Sequence, residues 1–449
     1  MRPNAVLRGL LLAVPLFSAA PAPAEDLLQV YQQARQSDPV LAGAQALRAA
    51  REQDVALARA PLLPQASAAV ALAHQPAAGA VPAARTQSAG VTFSQVVVDR
   101  ARQQALQATQ ALDQAQQARL RAAEHSLLVR VAGAYFTVLG AEQALATAQA
   151  NETAFGQQVQ QADERLRQGL SAAVDVAQAR AYHASARAAL VTQRRLLADA
   201  REALAELTGG SPGALRPLRA DLVPEHLQPA LPGPPSPGIP AADAQAWVAH
   251  ALAHNPLLQG QQAALDAAER RIGAARAAHY PTLSATLDSE RQRQWPSDLA
   301  GTAGGDGRSI TRVGLQLRIP LAAGGAVQAR THQARHEHEA EAAELERLRR
   351  RVVREVMQHH EGLQAGRLQT EATQAAVDAA RQALASTRVG QSLGTQTMNE
   401  LLQAIQTLSA AQNAHDAARH QFVLSRLLLQ QAAGTLTEAD LAAVNTLLQ

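Results

Sequence analysis

Asp38-Pro39 opens a stretch that ends in Pro61-Leu62-Leu63-Pro64, and Asn255-Pro256 opens one that ends in His279-Tyr280-Pro281. Positions 39 and 256, like 64 and 281, are 217 apart. Further on the offset becomes 225: Gly169 answers Gly394, Asp175 answers Glu400, and Gly209 answers Gly434. A repeated unit of more than about 200 residues is too long for a solenoid. The duplication therefore predicts two similar halves packed around a pseudo-symmetry axis.

The halves share one order of elements: short helices, a strand pair, a very long helix, a tight glycine turn and a shorter return helix. In the first repeat, 25–209, the hairpin is expected at about 65–95, the long helix at about 98–168 and the return helix at about 171–208. In the second, 241–449, the hairpin falls at about 282–320, the long helix at about 326–390 and the return helix at about 396–433, before a C-terminal segment. Between them, 210–240 carries nine of the 22 prolines and reads as a linker and equatorial region.

The strand assignments rest on alternation. Leu283, Ala285 and Leu287 alternate with Ser284, Thr286 and Asp288; Val313, Leu315, Leu317 and Ile319 alternate with Arg312, Gly314, Gln316 and Arg318. Gly301 to Gly307 supplies a flexible loop between the two runs. In the first half, Val70 and Leu72 are expected to pair with Val91 and Phe93. The helices rest on heptad-like spacing, as in Leu127, Val131, Ala134, Val138, Ala141 and Leu145. No proline occurs from Asp99 to Ala200 or from Leu321 to the C-terminus. As continuous helix, the 74 residues from Gln95 to Gly169 would run ~110 Å.

Residues 1–24 have the pattern of an export signal: Arg2 and Arg8, an apolar core from Leu10 to Ala20, and Ala22-Pro23-Ala24 before Glu25. No later apolar run approaches the ~20 residues of a spanning helix, so a membrane crossing would need strands. Cysteine is absent, which excludes disulfides and a lipid attached through an N-terminal Cys. The formal charge of +3 is carried by scattered arginines and falls to +1 without Arg2 and Arg8. Nucleic acid is thus not an expected partner, despite a pI near 9.9.

Four strands with one greasy and one wet face cannot close a barrel, and an open edge in lipid leaves backbone groups unpaired at several kcal/mol each. Three copies contributing four strands each give twelve, inside the even-numbered range of bacterial barrels. The expected fold is mainly α with β: a trimeric 12-stranded outer-membrane barrel continued by a long periplasmic helical coiled-coil barrel.

Several motifs resemble the TolC family of outer-membrane efflux and secretion proteins. Asp26-Leu27-Leu28-Gln29-Val30-Tyr31 through Asp38-Pro39 to Pro64-Gln65 looks like that family's mature start. Arg165-Leu166-Arg167-Gln168-Gly169-Leu170 with Asp175-Val176, and Gly394-Thr395-Gln396-Thr397 before Glu400-Leu401-Leu402, resemble its two helix-turn-helix tips. Ala433-Gly434-Thr435-Leu436 before Asp440-Leu441 resembles its closing motif. The resemblance implies a homotrimeric exit duct in the outer membrane of a Gram-negative bacterium, in contact with outer-membrane lipid and extending into the periplasm. Its partners would be a periplasmic membrane-fusion adaptor and an inner-membrane ABC transporter or proton-driven pump.

The resemblance also places a periplasmic gate at Asp175, Glu400, Gln403, Gln391 and Gln396. Adaptor-contacting tips fall at Arg165, Leu166, Gly169 and Leu170, and at Leu393, Gly394 and Thr395. Gln391 and Gln396 stand where the family pattern has a Tyr and an Arg that bond the other tip, and Gln403 replaces a second acidic ring. A looser resting gate with one ring of three carboxylates, at Glu400, is the expectation, since neutral amide bonds are weaker than ionic ones.

Simpler roles exist for several of these residues. Asp175 and Glu400 could complement helix dipoles just after each turn, and Gly169 and Gly394 could be turn formers with positive φ. His332, His336 and His338, and His359-His360, read as solvated helix surface rather than metal ligands. The arginine run from Arg347 to Arg354 reads as ion pairs with the interleaved glutamates. No phosphate loop, nucleophile elbow or zinc motif is present, so neither an enzyme nor a cofactor is expected. The competing class is a periplasmic coiled-coil scaffold or adaptor without a pore.

Overall fold

A computed structural model describes residues 24–76, 78, 84–219, 243–296 and 307–449. The export signal up to residue 23, residues 220–242 of the proline-rich segment and 301–306 of the glycine loop lie outside the described residues. In chain order the elements are α1 Leu27–Ser37, α2 Pro39–Arg59, β1 Gln65–Gln75, β2 Ala84–Val98, α3 Arg100–Arg167 and α4 Ala173–Thr208. They continue with α5 Ala244–His254, α6 Pro256–Ala277, β3 Thr282–Pro296, β4 Arg308–Arg318, α7 Ala326–Ser392, α8 Met398–Ala433 and α9 Glu438–Asn445.

The chain forms two compact units that do not coincide with the sequence halves. Among described residues, one unit holds 24–36, 131–219 and 441–449, and the other holds 37–130 and 243–440. The reason lies in the sheet. Its order is β1-β2-β3-β4, all antiparallel, so the hairpin of the first half and that of the second are joined by β2–β3 hydrogen bonds.

The repeated Asx-Pro pairs are helix starts. Asp38 caps α2 by accepting from Leu41 N–H at 2.9 Å. Asn255 caps α6 by accepting from Leu257 and Leu258 N–H at 2.9 and 3.3 Å. Proline at the first helical position costs nothing because its missing N–H would be unpaired anyway. The caps then diverge. The buried Asp38 carboxylate takes two bonds from the Arg130 guanidinium of α3, at 3.1 and 2.7 Å. The Asn255 amide donates instead to Ala432 O at the end of α8, 2.9 Å away. Two residues beyond Ala432, Gly434 ends α8 with φ +76, and the position a Cβ would take lies 2.6 Å from His254 O.

In the larger unit, α7 and α8 form an antiparallel pair. Buried α7 positions Thr370, Thr373, Val377, Ala380 and Leu384 recur at three- and four-residue steps, the spacing of a coiled-coil seam. Trp247, Val248 and Ala251 of α5 and Leu258 of α6 pack with Leu348, Val352 and Val356 of α7 and Leu429 of α8. Two arginines of the run on α7 are ion-paired: Arg347 binds Glu344, and Arg350 Nε lies 2.8 Å from Glu346.

On α8, burial and then the neighbouring Arg419 charge push the His420 imidazole down to about 4. A depressed folded pKa favours the neutral ring. Its stabilisation is therefore complete above the ordinary value of 6.5 and is lost as pH falls toward 4. Unfolding measured from pH 7 to pH 4 is expected to reveal a loss of about 2–3 kcal/mol that His420→Gln removes. An unchanged pH profile in that variant would contradict the assignment.

In the smaller unit, α4 packs against the second half of α3. Arg201 reaches Glu142 at 2.7 Å, Arg180 reaches Asp163 at 3.0 Å, and His183 Nε2 lies 3.0 Å from Glu152. Tyr135 of α3 is fully buried and donates its hydroxyl to Arg216 O at 2.8 Å. Residues 211–219 tie the segment that begins at 24 to the C-terminal segment: Leu215 bridges Glu25, and Leu218 bridges Leu448.

Candidate functional site

The sheet sorts its side chains by face. Leu283, Ala285 and Leu287 lie opposite Leu317, Leu315 and Val313, so the two apolar alternations share one face. Phe93 lies opposite both Leu287 and Ala66, extending that face across β2 to β1. Val70 and Leu72 point the same way, but they oppose Ala89 and Gln87 rather than Val91 and Phe93. The expected direct pairing is thus displaced along the strands, with Val70 and Val91 as diagonal neighbours. The other face carries Ser67, Ser88, Thr92, Thr286, Asp288, Glu290 and Arg312, with Thr92 Oγ1 donating to Asp288 at 2.8 Å.

Exposure follows the same division. Along β2 from 85 to 91 and β3 from 287 to 291, odd-numbered apolar-face positions are exposed and even-numbered polar-face positions are partly covered. That is the pattern of a curved sheet whose hollow side is polar. Val313, Leu315 and Leu317 are 82%, 74% and 59% exposed, so a broad greasy surface faces outward from β4. Among the described residues both edge strands, β1 and β4, have one side unpaired.

Each helical tip is built from the same three parts. Gly169 and Gly394 adopt φ of +75 and +77, the left-handed conformation that stops a helix. The following N–H then reaches back five residues, Leu170 to Arg165 O at 2.8 Å and Thr395 to Gly390 O at 2.9 Å. Finally the acidic residue caps the return helix. Asp175 accepts from Ser171 Oγ at 2.7 Å and Ala172 N–H at 3.3 Å. Glu400 accepts from Thr397 N–H at 2.6 Å and Thr397 Oγ1 at 3.0 Å, while Thr397 Oγ1 accepts from Glu400 N–H at 3.2 Å.

Both carboxylates therefore serve their own helix N-termini, where the dipole favours negative charge. Ser171 and Thr397 escaped the sequence reading as cap partners, although Thr397-x-x-Glu400 is a legible capping-box pattern. Leu166, Leu170, Leu393, Thr395, Gln396 and Gln403 are exposed, whereas Arg165 and Gln391 are half-covered. Gln396 folds back over α7: the position of a Cβ on Gly390 lies 2.5 Å from its Cγ. The base of its side chain thus rests on its own tip.

Among described residues no helix is long and apolar enough to cross a membrane, and no three His, Asp or Glu side chains gather as metal ligands would. His336 Nδ1 instead lies 3.0 Å from Glu339 on an exposed helix face.

A curved sheet, greasy outside and polar inside, with very long paired helices leading from its strands, is the build of an outer-membrane channel subunit. The family model for outer membrane efflux proteins matches residues 30–210 and 247–435, and the chain belongs to that family. Outer membrane protein TolC of Vibrio cholerae is 30% identical over 94% of this chain and 93% of its own length. Its Escherichia coli counterpart is 31% identical over 95% of this chain and 85% of its own. Among solved structures, CusC superimposes with a TM-score of 0.78 at 21% identity, covering 92% of each chain.

The family that the tip and closing motifs resemble is thus the one the comparisons show. The protein is an outer-membrane exit duct for efflux or secretion in a Gram-negative bacterium, and the pore-free scaffold reading falls.

Proposed function

We propose that three copies close one twelve-stranded barrel and that the duct passes substrate delivered by an inner-membrane pump, either an ABC transporter or a proton-driven one, through a periplasmic adaptor. The observation that carries this is the four-stranded sheet with an apolar outer face and two open edges. In lipid each unpaired edge group costs several kcal/mol, and joining β4 of one copy to β1 of the next removes that cost. The two repeats, 25–209 and 241–449 with 210–240 between them, would then alternate around the ring. The duct acts without catalysis. Detergent extraction from outer membranes as a heat-sensitive trimer with measurable conductance supports this reading; a water-soluble monomer without conductance refutes it.

In the same reading Arg165, Leu166, Gly169 and Leu170, and Leu393, Gly394 and Thr395, meet the adaptor. The exposed leucines 166, 170 and 393 support this, because solvent-facing apolar side chains at a helix turn suit a helical partner. Asp175 and Glu400 combine capping with charge at the entrance, Gln403 adds no charge there, and Gln391 and Gln396 leave the resting gate held by amides. Glu400→Gln keeps an oxygen that can accept from Thr397 N–H while removing the charge. In bilayer recordings it is expected to lower cation selectivity and block by multivalent cations several-fold, with helicity unchanged. Unaltered selectivity and block would remove Glu400 from the gate.

A further inference from the structure

The apolar face of the sheet does not stay apolar toward the loops that join β1 to β2 and β3 to β4. Beyond Leu287 and Ser289 the next two outward positions on β3 are Arg291, beside Ala89 and Ser309, and Arg293, beside Gln87; Arg85 follows on β2. All three are exposed. The position of a Cβ on Gly307 lies 3.2 Å from Arg293 Nε and 3.3 Å from Arg291 Nε, so two guanidinium groups converge beside one residue that has no side chain. The strand carboxylates nearest in register, Asp288 and Glu290, belong to the opposite face. Among described residues neither arginine pairs with a carboxylate.

Two like charges drawn together, with no counter-charge among the described residues and on a surface that is greasy a few residues away, suit an anionic partner. Arginine on the lipid face costs about 2–4 kcal/mol at the bilayer midplane and about 0–1 near the interfaces. The pair therefore belongs at headgroup level, at the end of the barrel remote from the helices. Guanidinium forks match phosphate oxygens two at a time. The outer leaflet of this membrane is built from a phosphorylated glycolipid.

We propose that Arg291 and Arg293, with Arg85 beside them, bind the phosphate groups of that glycolipid, whose acyl chains run along Val70, Val91, Phe93 and Leu287. The chain is poor in aromatic residues, 2% in all, and these arginines hold the outer rim of its barrel where other barrels use an aromatic girdle. The proposal rests on the barrel reading above.

The test uses the full-length protein reconstituted in nanodiscs, with bound lipid counted by native mass spectrometry. Bisphosphorylated lipid A and the same lipid stripped of phosphate are the probes. Wild type is expected to retain the phosphorylated form about tenfold better, and R291Q/R293Q to lose that preference, while R312Q on the polar face keeps it. Equal retention of the two lipids by wild type overturns the proposal without need of any variant, as does full preference in the double variant. Conductance recorded after transfer of the same preparations to planar bilayers separates this outcome from failure of the barrel itself, which would abolish the current in wild type too.

Discussion

Gly434→Ala is expected to cost about 3 kcal/mol or more in unfolding free energy, whereas Gly394→Ala should cost only about 1. The two glycines share nearly the same backbone conformation, φ +76 and +77, so the left-handed strain of an added Cβ is common to both. They differ in what that Cβ would meet. At Gly394 nothing lies within 4 Å; at Gly434 the carbonyl oxygen of His254 is 2.6 Å away and Asn255 Cα 2.9 Å. Those atoms belong to the junction of α5 and α6, fixed by the Asn255 cap and its bond to Ala432, and cannot yield without losing both. Thermal unfolding followed by helical circular dichroism reads the difference, and equal losses at the two sites would show that α8 can shift aside.

Asp38→Ala is expected to cost a comparable amount, about 3 kcal/mol, because it removes a helix cap and strands a guanidinium. The carboxylate side chain is 2% exposed and that of Arg130 is 32% exposed, so part of the stranded charge recovers hydration. Asp38→Asn separates the two contributions. Asparagine at the equivalent position 255 caps its helix well, so this variant should keep the cap, lose only the ion pair, and cost about half as much.

The hydrogen bonds from Arg130 hold the Asp38 carboxyl below its ordinary value of 3.8. A depressed carboxylate pKa stabilises the fold fully above the unfolded value and loses that stabilisation as pH falls below it. The gap between wild type and Asp38→Asn should therefore persist at neutral pH and narrow below about pH 4. A gap that stays constant into acid would assign the loss to packing rather than to charge.

Short-range chemistry was the legible part of this chain. Asx followed by proline, glycine followed by a capping acid, and Leu or Val at every second position each report on neighbours within a few residues. Those features located the turns at Gly169 and Gly394 and the shared face of β3 and β4. On β1 the apolar set is mostly alanine, which contrasts weakly with serine and glutamine. The pairing of Val70 and Leu72 was accordingly misplaced along β2, though not onto the wrong face.

Longer-range features left no local trace. Arg130 lies 92 residues from Asp38, and the approach of Gly434 to His254 is a backbone contact that no side chain announces. The tip carboxylates were legible as charges near a turn. The bonds of Asp175 to Ser171 and Ala172 follow no such pattern, whereas the Thr397–Glu400 capping box was there to be read.

The junction between β2 and β3 lies at the middle of the sheet and unites two halves of one polypeptide. In a ring of three copies, the junction between β4 and the next β1 repeats the same antiparallel joint. A ring built this way has six hairpins and six near-equivalent seams, of which only alternate ones are covalently secured by the chain. A gene encoding a single half could in principle populate all six places, and fusing two halves frees each to drift. Neighbouring staves of such a ring would differ, leaving each kind of tip free to specialise for its own task.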